Sequence, residues 1–267
     1  MAFMGDYFIF DGIPCTEFGL RLYEINGINA GNGKLPSLKA QEDRSTTRYK
    51  TYYYGSYYDE PLTFKMVFGA DKAIADTGGF FDSWDREAIS AWLSPIDGYK
   101  WLEIEQDDME FIRCRCRIEN LSMIELCNVP IAFSCEVHCD SPFAYQYPTS
   151  YQYNCFEKTN ILFRNLSSYR GGYHPKLKIT LNGSNRIQII NHSDNDKIFE
   201  FKDLPQDYFL VIDVDNENGV ITNNMGLNLY PYFNFEFLKL AYGDNHLEVI
   251  GNCTLEIICE FPINVGG

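Results

Sequence analysis

The second half of the chain is dominated by short apolar runs that recur at nearly regular intervals. Each run is rich in β-branched or aromatic residues, and turns built from Asn, Asp and Gly separate them. The runs lie at 175–181, 186–190, 197–201, 208–213, 219–222, 232–237, 246–250 and 254–258. Runs of this length and composition predict β-strands. Their number and spacing predict a β-sandwich or jelly roll for this half.

The first half is also predicted to be mainly β, with one helix. Alternating or aromatic-rich segments predict strands at 7–12, 18–22, 62–68, 99–104, 111–118 and 129–137. The first two of these are expected to pair as a hairpin. A helix is expected to begin at Asp82 or Ser83, which can cap it, and to end before Pro95. The residues at its apolar spacing are Trp84, Ala88, Ile89 and Trp92.

The length of 267 residues is comfortable for two domains, since domains cluster near ~100–150 residues. Between about 140 and 158 the strand pattern lapses into a tyrosine-rich stretch punctuated by proline. We therefore predict a first domain at 1–145, a linker at 146–158 and a second domain at 159–267.

The formal net charge of −15 argues against direct binding of nucleic acid, because no stretch concentrates Lys and Arg. The acidity is explained either by solubility or by a surface that repels passing DNA. The amino terminus has neither the basic residues nor the apolar run of a secretion signal or membrane anchor, so we expect a protein made in a cytoplasm.

Catalytic and metal-binding motifs are not found in the sequence. The nine cysteines are odd in number and often lie at strand-like positions, which favours free buried thiols. Cys135, His138 and Cys139 form a Cys/His cluster without the spacing of a zinc site. The segment 213–219 resembles a calcium loop but has Asn at the sixth and twelfth positions. We expect no metal, no cofactor and no enzymatic activity.

Two groups of side chains in the first half are candidates for contacts between subunits. The first is a tyrosine cluster made of Tyr52, Tyr53, Tyr54, Tyr57 and Tyr58. It is consistent either with an exposed adhesive patch or with strand residues that pack on two layers. The second is a strand on which Arg113, Arg115 and Arg117 alternate with apolar residues. Their partners are expected to be carboxylates, either within the fold or on a neighbouring subunit.

Taken in order, several segments resemble the distal tail protein family of long-tailed phages. In the first half the matching segments are Phe8–Gly12, Phe18–Leu20, Ala91–Leu93, Gly98–Leu102 and, above all, Phe133–Tyr145 with its Asp-Ser-Pro-aromatic exit. In the second half they are Gly171, Gly172, Pro175, Asn191, Ile212–Asp213 and Gly243–Gly251. The resemblance covers nearly the whole chain, and the succession of segments carries it rather than any single motif.

The resemblance implies a fold and a function. The first domain would be a β-sandwich or split barrel with one helix, and six copies would form a ring that continues the tail tube. The second domain would be a galectin-like β-sandwich. The protein would then be a virion component at the tail tip. Its partners would be the tail tube protein, the tail-tip hub protein and, on the second domain, receptor-binding proteins, while DNA passes through its bore.

Two other functions fit parts of the sequence. A galectin-like domain can bind host glycans, although the three tryptophans all lie in the first domain. A hydrolase on a β-sandwich is the other reading, and no sequence motif supports it.

Overall fold

The computed structural model describes residues 6–26, 38–44, 49–58, 60–71, 81–105, 110–126, 129–205 and 210–265. The chain divides into two compact units. The first comprises Met1–Tyr145 together with Ile263–Gly267, and the second comprises Gln146–Pro262. The described residues are mostly β-strand, as the sequence predicted.

The first unit is built on one antiparallel sheet in the order β2-β1-β7-β8-β9-β6-β3. Its strands are β1 (Tyr7–Phe10), β2 (Ile13–Pro14), β3 (Leu20–Asn26), β6 (Thr63–Ala70), β7 (Lys100–Glu105), β8 (Ile112–Leu126) and β9 (Val129–Cys139). A short 3-10 helix (Cys15–Phe18) lies between β2 and β3, and β10 (Ala144–Gln146) adds to β8 off the main path. A separate pair consists of β4 (Leu38–Asp43) and β5 (Tyr52–Tyr58).

The sheet curls back on itself, so that β3 at one end of the strand order lies near the start of β1 at the other. The Leu22 amide in β3 donates to the carbonyl oxygen of Asp6, just before β1, over 2.9 Å. The enclosed face carries the core, including Phe8, Phe68 and Met66, which are fully buried. Alternate residues of β6 are buried, as expected for a strand with one face on the core. This arrangement is a split barrel.

The predicted helix is present as α1 (Ser83–Leu93), with Asp82 as its cap. Asp82 accepts from the amides of Trp84 and Asp85, and the Asp85 carboxylate accepts from the Asp82 amide over 3.0 Å. Such a reciprocal box satisfies amides that the helix itself leaves unpaired. Ile89 is fully buried, whereas Trp84 is 76% exposed, so Trp84 is not part of the core face that its spacing suggested.

The second unit is a β-sandwich, as predicted. One sheet has the order β11-β19-β13-β16-β17 and the other β12-β18-β14-β15. The first contains β11 (Thr149–Cys155), β13 (Lys176–Leu181), β16 (Val211–Asp215), β17 (Val220–Asn223) and β19 (Cys253–Cys259). The second contains β12 (Lys158–Asn165), β14 (Ile187–Asn191), β15 (Lys197–Phe201) and β18 (Gly243–Ile250). A short β20 (Pro262–Ile263) follows. Tyr151 and Phe163 meet edge to face across the two sheets, with ring centroids 5.2 Å apart.

The predicted linker at 146–158 is wrong, because most of it is strand. β11 pairs along its whole length with β19, from Thr149 opposite Cys259 to Cys155 opposite Cys253. β11 is the outermost strand of its sheet and its exposed residues are all polar, so the composition of the segment resembles that of a linker. The second-domain boundary at 267 is also corrected, since Val265 is buried in the core of the first unit.

Two further predictions are wrong in their details. The run 232–237 is not a strand; it follows a 3-10 helix (Tyr230–Tyr232) and is irregular, with Phe235 at a φ of 61°. Phe233 contacts the rings of both Phe235 and Phe237, so the aromatic spacing reflects ring packing. The segment 18–22 does not pair with β1, because β3 pairs with β6 and β1 pairs with β7. The first residues of the predicted strand 208–213 lie outside the described part of the chain.

Candidate assembly surface

The strands β4 and β5 form a hairpin, here called the tyrosine hairpin, that stands apart from the split-barrel sheet. Its ladder runs from Leu38 opposite Tyr58 to Asp43 opposite Tyr52. All of β4 is exposed, and β5 is exposed at most positions. A two-stranded ribbon has too little buried area to be stable alone, so its exposed faces are suited to a partner.

The five predicted tyrosines all lie on β5, and four of them are exposed. Tyr53, Tyr54 and Tyr57 are each more than half exposed, and Tyr52 stacks near Tyr54 with ring centroids 6.4 Å apart. Tyr58 differs, because its ring packs edge to face on Phe143 at 4.8 Å. Tyr58 therefore anchors the hairpin on the first unit, while the other four form an exposed aromatic patch. Tyrosine is among the residues enriched in protein interfaces.

The three predicted arginines lie together on the outer face of β8. The Arg113 guanidinium lies 3.8 Å from the centroid of the Trp101 ring, close enough for a cation–π contact. The Arg115 side chain lies 3.7 Å from the carboxylate of Asp140. Arg113 and Arg115 therefore already contact groups of their own unit.

Arg117 begins a line of charged groups that crosses from β8 to β9. Its Nε atom lies 2.7 Å from the carboxylate of Glu119, which also lies 3.3 Å from the imidazole of His138. On β9, Glu136 accepts from the Asn120 side chain over 2.7 Å, and this bond is the main cause that lowers the pKa of Glu136. Carboxylates of the same unit therefore lie beside Arg115 and Arg117.

In the second unit, buried asparagines hold the irregular segment before β18. The Asn245 Oδ1 atom accepts from the Ala241 amide over 2.8 Å and from the Asn191 side chain over 3.0 Å. The Asn191 side chain also donates to the carbonyl oxygen of Lys239, and Asn216 accepts from the Leu238 amide. No local pattern in the sequence distinguishes these buried asparagines from those in turns.

A buried carboxylate on β15 is also satisfied within the unit. The Glu200 side chain is 6% exposed. One of its carboxylate oxygens lies 2.7 Å from the Nε atom and 2.6 Å from the Nη2 atom of Arg186. Lys202 lies 3.0 Å from its other oxygen. This arrangement neutralises a buried charge.

Eight cysteines are buried and free within the described residues; Cys127 lies outside them. Burial raises the pKa of the Cys135 and Cys259 thiols to about 12. No cluster of His, Cys, Asp or Glu suited to a metal ion is found within the described ranges. No described helix is long and apolar enough to cross a membrane.

Comparisons with known proteins assign both units. Residues 3–141 match the family model for a phage tail protein N-terminal domain, and residues 143–259 match that for a phage tail C-terminal domain. The chain belongs to this family of phage tail proteins. This phage tail protein is accordingly a virion component, and the family resemblance drawn from the sequence is confirmed. No curated protein sequence matches the chain.

Among solved structures, the phage tail protein is similar to the Dit protein of phage SPP1. The two superpose with a TM-score of 0.69 at 11% sequence identity, over 96% of this chain and 98% of that one. The SPP1 protein is described as a paradigm of the hub adsorption apparatus in phages that infect Gram-positive bacteria. At this identity the likeness is one of fold, and it extends through both units.

Proposed function

We propose that this phage tail protein is a distal tail hub. Six copies of the first unit form a ring that joins the tail tube to the tail-tip hub proteins. The proposal is supported by the family match across both units and by a fold likeness to a hub protein over 96% of the chain. The protein acts as a structural part rather than an enzyme, and it is assembled into the tail in the host cytoplasm.

The tyrosine hairpin carries the proposal that copies of the first unit contact one another. Its exposed aromatic patch lies outside the split-barrel sheet, on a ribbon anchored at one end by Tyr58. In a ring, each copy presents one surface to the next copy and a different surface to the previous one. Tyr52, Tyr53, Tyr54 and Tyr57 would supply the projecting half of such a contact.

The arginine face of β8 contributes to the same contact in a secondary way. The side chains of Arg115 and Arg117 are 53% and 54% exposed even with their carboxylate neighbours in place. Together with Arg113 they would place positive charge at the rim of the contact between copies. Charge at the rim of an interface speeds association more than it increases affinity.

The remaining partners follow from the position of a hub. A net charge of −15 on each copy disfavours adhesion of the exiting genome to the bore of the ring. The second unit would serve as the platform for receptor-binding proteins.

The native mass of the purified protein tests the ring. Six copies of the 30.9 kDa chain would give about 185 kDa, seen as a ring with a central hole in negative-stain images. A stack of two such rings would support the proposal equally. A monomer at every concentration, with or without the tail tube protein added, would contradict it. Binding on a glycan array by that monomer would instead identify a lectin.

A further inference from the structure

Two buried cysteines of the second unit face each other at the end of a strand pair. Cys155 is the last residue of β11, Cys253 is the first residue of β19, and the two are directly opposite in the antiparallel ladder. Both side chains are completely buried. Directly opposite residues have Cα atoms about 4.5–5.5 Å apart, which lies inside the range of about 4.4–6.8 Å that disulfides span.

The two thiols also interact with each other. A hydrogen bond from Cys253 is the largest cause that lowers the pKa of Cys155, and the hydroxyl of Thr159 lowers it further. The same bond raises the pKa of Cys253. These opposite directions favour Cys155 as the thiol of the pair that loses its proton first.

The described cysteines of the first unit lack this combination. Cys116 is directly opposite Cys139, but the Cys139 thiol is hydrogen-bonded to Cys114 instead. Cys114 and Cys139 are diagonal neighbours, which places their Cα atoms about 7–8 Å apart. Burial raises the pKa of Cys116 and contributes to raising that of Cys139, so neither has thiolate character.

We propose that Cys155 and Cys253 are a disulfide site, reduced in the cytoplasm and closed in the oxidising surroundings of the released particle. Cytoplasmic thiol pools keep cysteines reduced, whereas extracellular surroundings favour the bond. The oxidant is a small-molecule disulfide such as oxidised glutathione. The inference does not depend on whether the protein forms a ring.

The reaction proceeds by two exchanges. The Cys155 thiolate attacks one sulfur of the external disulfide, forms a mixed disulfide and releases one small thiol. Cys253 then loses its proton and attacks the Cys155 sulfur, which forms the protein disulfide and releases the second small thiol. Two cysteine thiols are thereby oxidised and one external disulfide is reduced. Access requires only local opening, because the pair lies at the end of an outermost strand.

The bond would fasten β11, the first long strand of the second unit, to β19, the next strand of its sheet. It would also close a long loop, since nearly the whole unit lies between the two cysteines. Long loops lose the most conformational freedom in the unfolded chain when they are crosslinked. The second unit of a released particle would therefore resist unfolding more than the newly made protein.

The test uses the full-length protein treated with oxidised glutathione at neutral pH and then with an alkylating agent. Non-reducing digestion and mass spectrometry should recover a peptide pair that joins Cys155 to Cys253, with an intact mass lower by two hydrogen atoms. The unfolding temperature of the second unit should rise by on the order of 10 °C and return on reduction. Cys116→Ser should leave the bond intact, and Cys155→Ser should abolish it.

Three results would overturn the proposal. Both thiols alkylated after treatment, a persistent mixed disulfide on Cys155, or a linkage between other cysteines would each exclude this site. The peptide map of the unsubstituted protein decides the question even where a serine variant folds poorly.

Discussion

Replacing three tyrosines of the tyrosine hairpin with serine separates assembly from folding. The combined change Tyr53→Ser, Tyr54→Ser and Tyr57→Ser removes the three most exposed rings of β5. Tyr58 is left in place because its contact with Phe143 anchors the hairpin. If these rings lie between copies, the substitution should weaken the ring and leave the isolated chain folded.

The magnitude follows from the exposed area. A tyrosine buries about 150–250 Å² when covered, and the three residues are 63%, 64% and 51% exposed, so together they present roughly 350 Å². At about 25 cal/mol per Å², complete burial would contribute at most about 9 kcal/mol. Ordering of side chains and incomplete burial reduce this to about 2–4 kcal/mol at each contact. Each contact should therefore dissociate about 30- to 1,000-fold more readily.

Native mass spectrometry and sedimentation velocity measure the loss of the six-copy species at a fixed concentration. The unfolding free energy of the dissociated chain should change by no more than about 0.5 kcal/mol, because exposed side chains contribute little to folding. The matched control carries Phe156→Ser, Leu162→Ser and Tyr242→Ser, three second-unit residues exposed by 66%, 65% and 55%. Rings that persist unchanged in the tyrosine variant, or that fail equally in the control, would refute the reasoning.

Three other perturbations have defined outcomes. Glu200→Ala leaves Arg186 and Lys202 without their buried carboxylate and should lower the unfolding free energy in urea by about 2–4 kcal/mol, with Glu200→Gln losing less. Asp82→Ala should cost about 1 kcal/mol in the same assay through loss of the α1 cap, whereas a neutral effect, or an equal loss in Asp82→Asn, would contradict that role. The pKa of His192 is raised chiefly by its bond to Asp196, so its contribution is full below the unfolded pKa of about 6.5 and is lost as the pH rises through the folded pKa. The unfolding-temperature advantage over His192→Gln should thus shrink from pH 6 to pH 8, and a constant advantage would be the contrary result.

The elements that sequence predicted well are those with local signals. The helix α1 has its cap and its stop signal within a few residues of its own ends, at Asp82 and Pro95. The strands β6, β13 and β18 have one buried face and alternate accordingly. Alternation of apolar and polar residues is the direct consequence of burying one face of a strand against a core.

The elements that the sequence failed to predict are not distinguished by a reliable local signal. β11 lies at the edge of its sheet and its exposed residues are all polar, so its composition resembles a linker. The run 232–237 has the alternation of a strand, yet its rings pack on one another and on β15. The ring centroids of Phe233 and of Phe199 on β15 are 5.1 Å apart. Whether such a segment becomes a strand or a packed irregular stretch depends on its partners, which are distant in sequence.

The two candidate surfaces were also predicted only in part from the sequence. Sequence located the tyrosine cluster and the arginine strand, and it left open whether each faced its own fold or a neighbour. In the structure, carboxylates of the same unit lie beside Arg115 and Arg117, and the exposed tyrosines lie on a ribbon outside the main sheet.

The sequence by itself determined the mainly β class, the capped helix and the resemblance to a phage tail family, because these depend on residue type and short-range spacing. Only the tertiary structure decided that β3 joins β6, that asparagines such as Asn245 are buried, and that Cys155 meets Cys253. Each of these depends on which distant segment is opposite in the folded chain. Strand pairing is selected by the combined burial of all strands, and no single stretch of sequence contains that information.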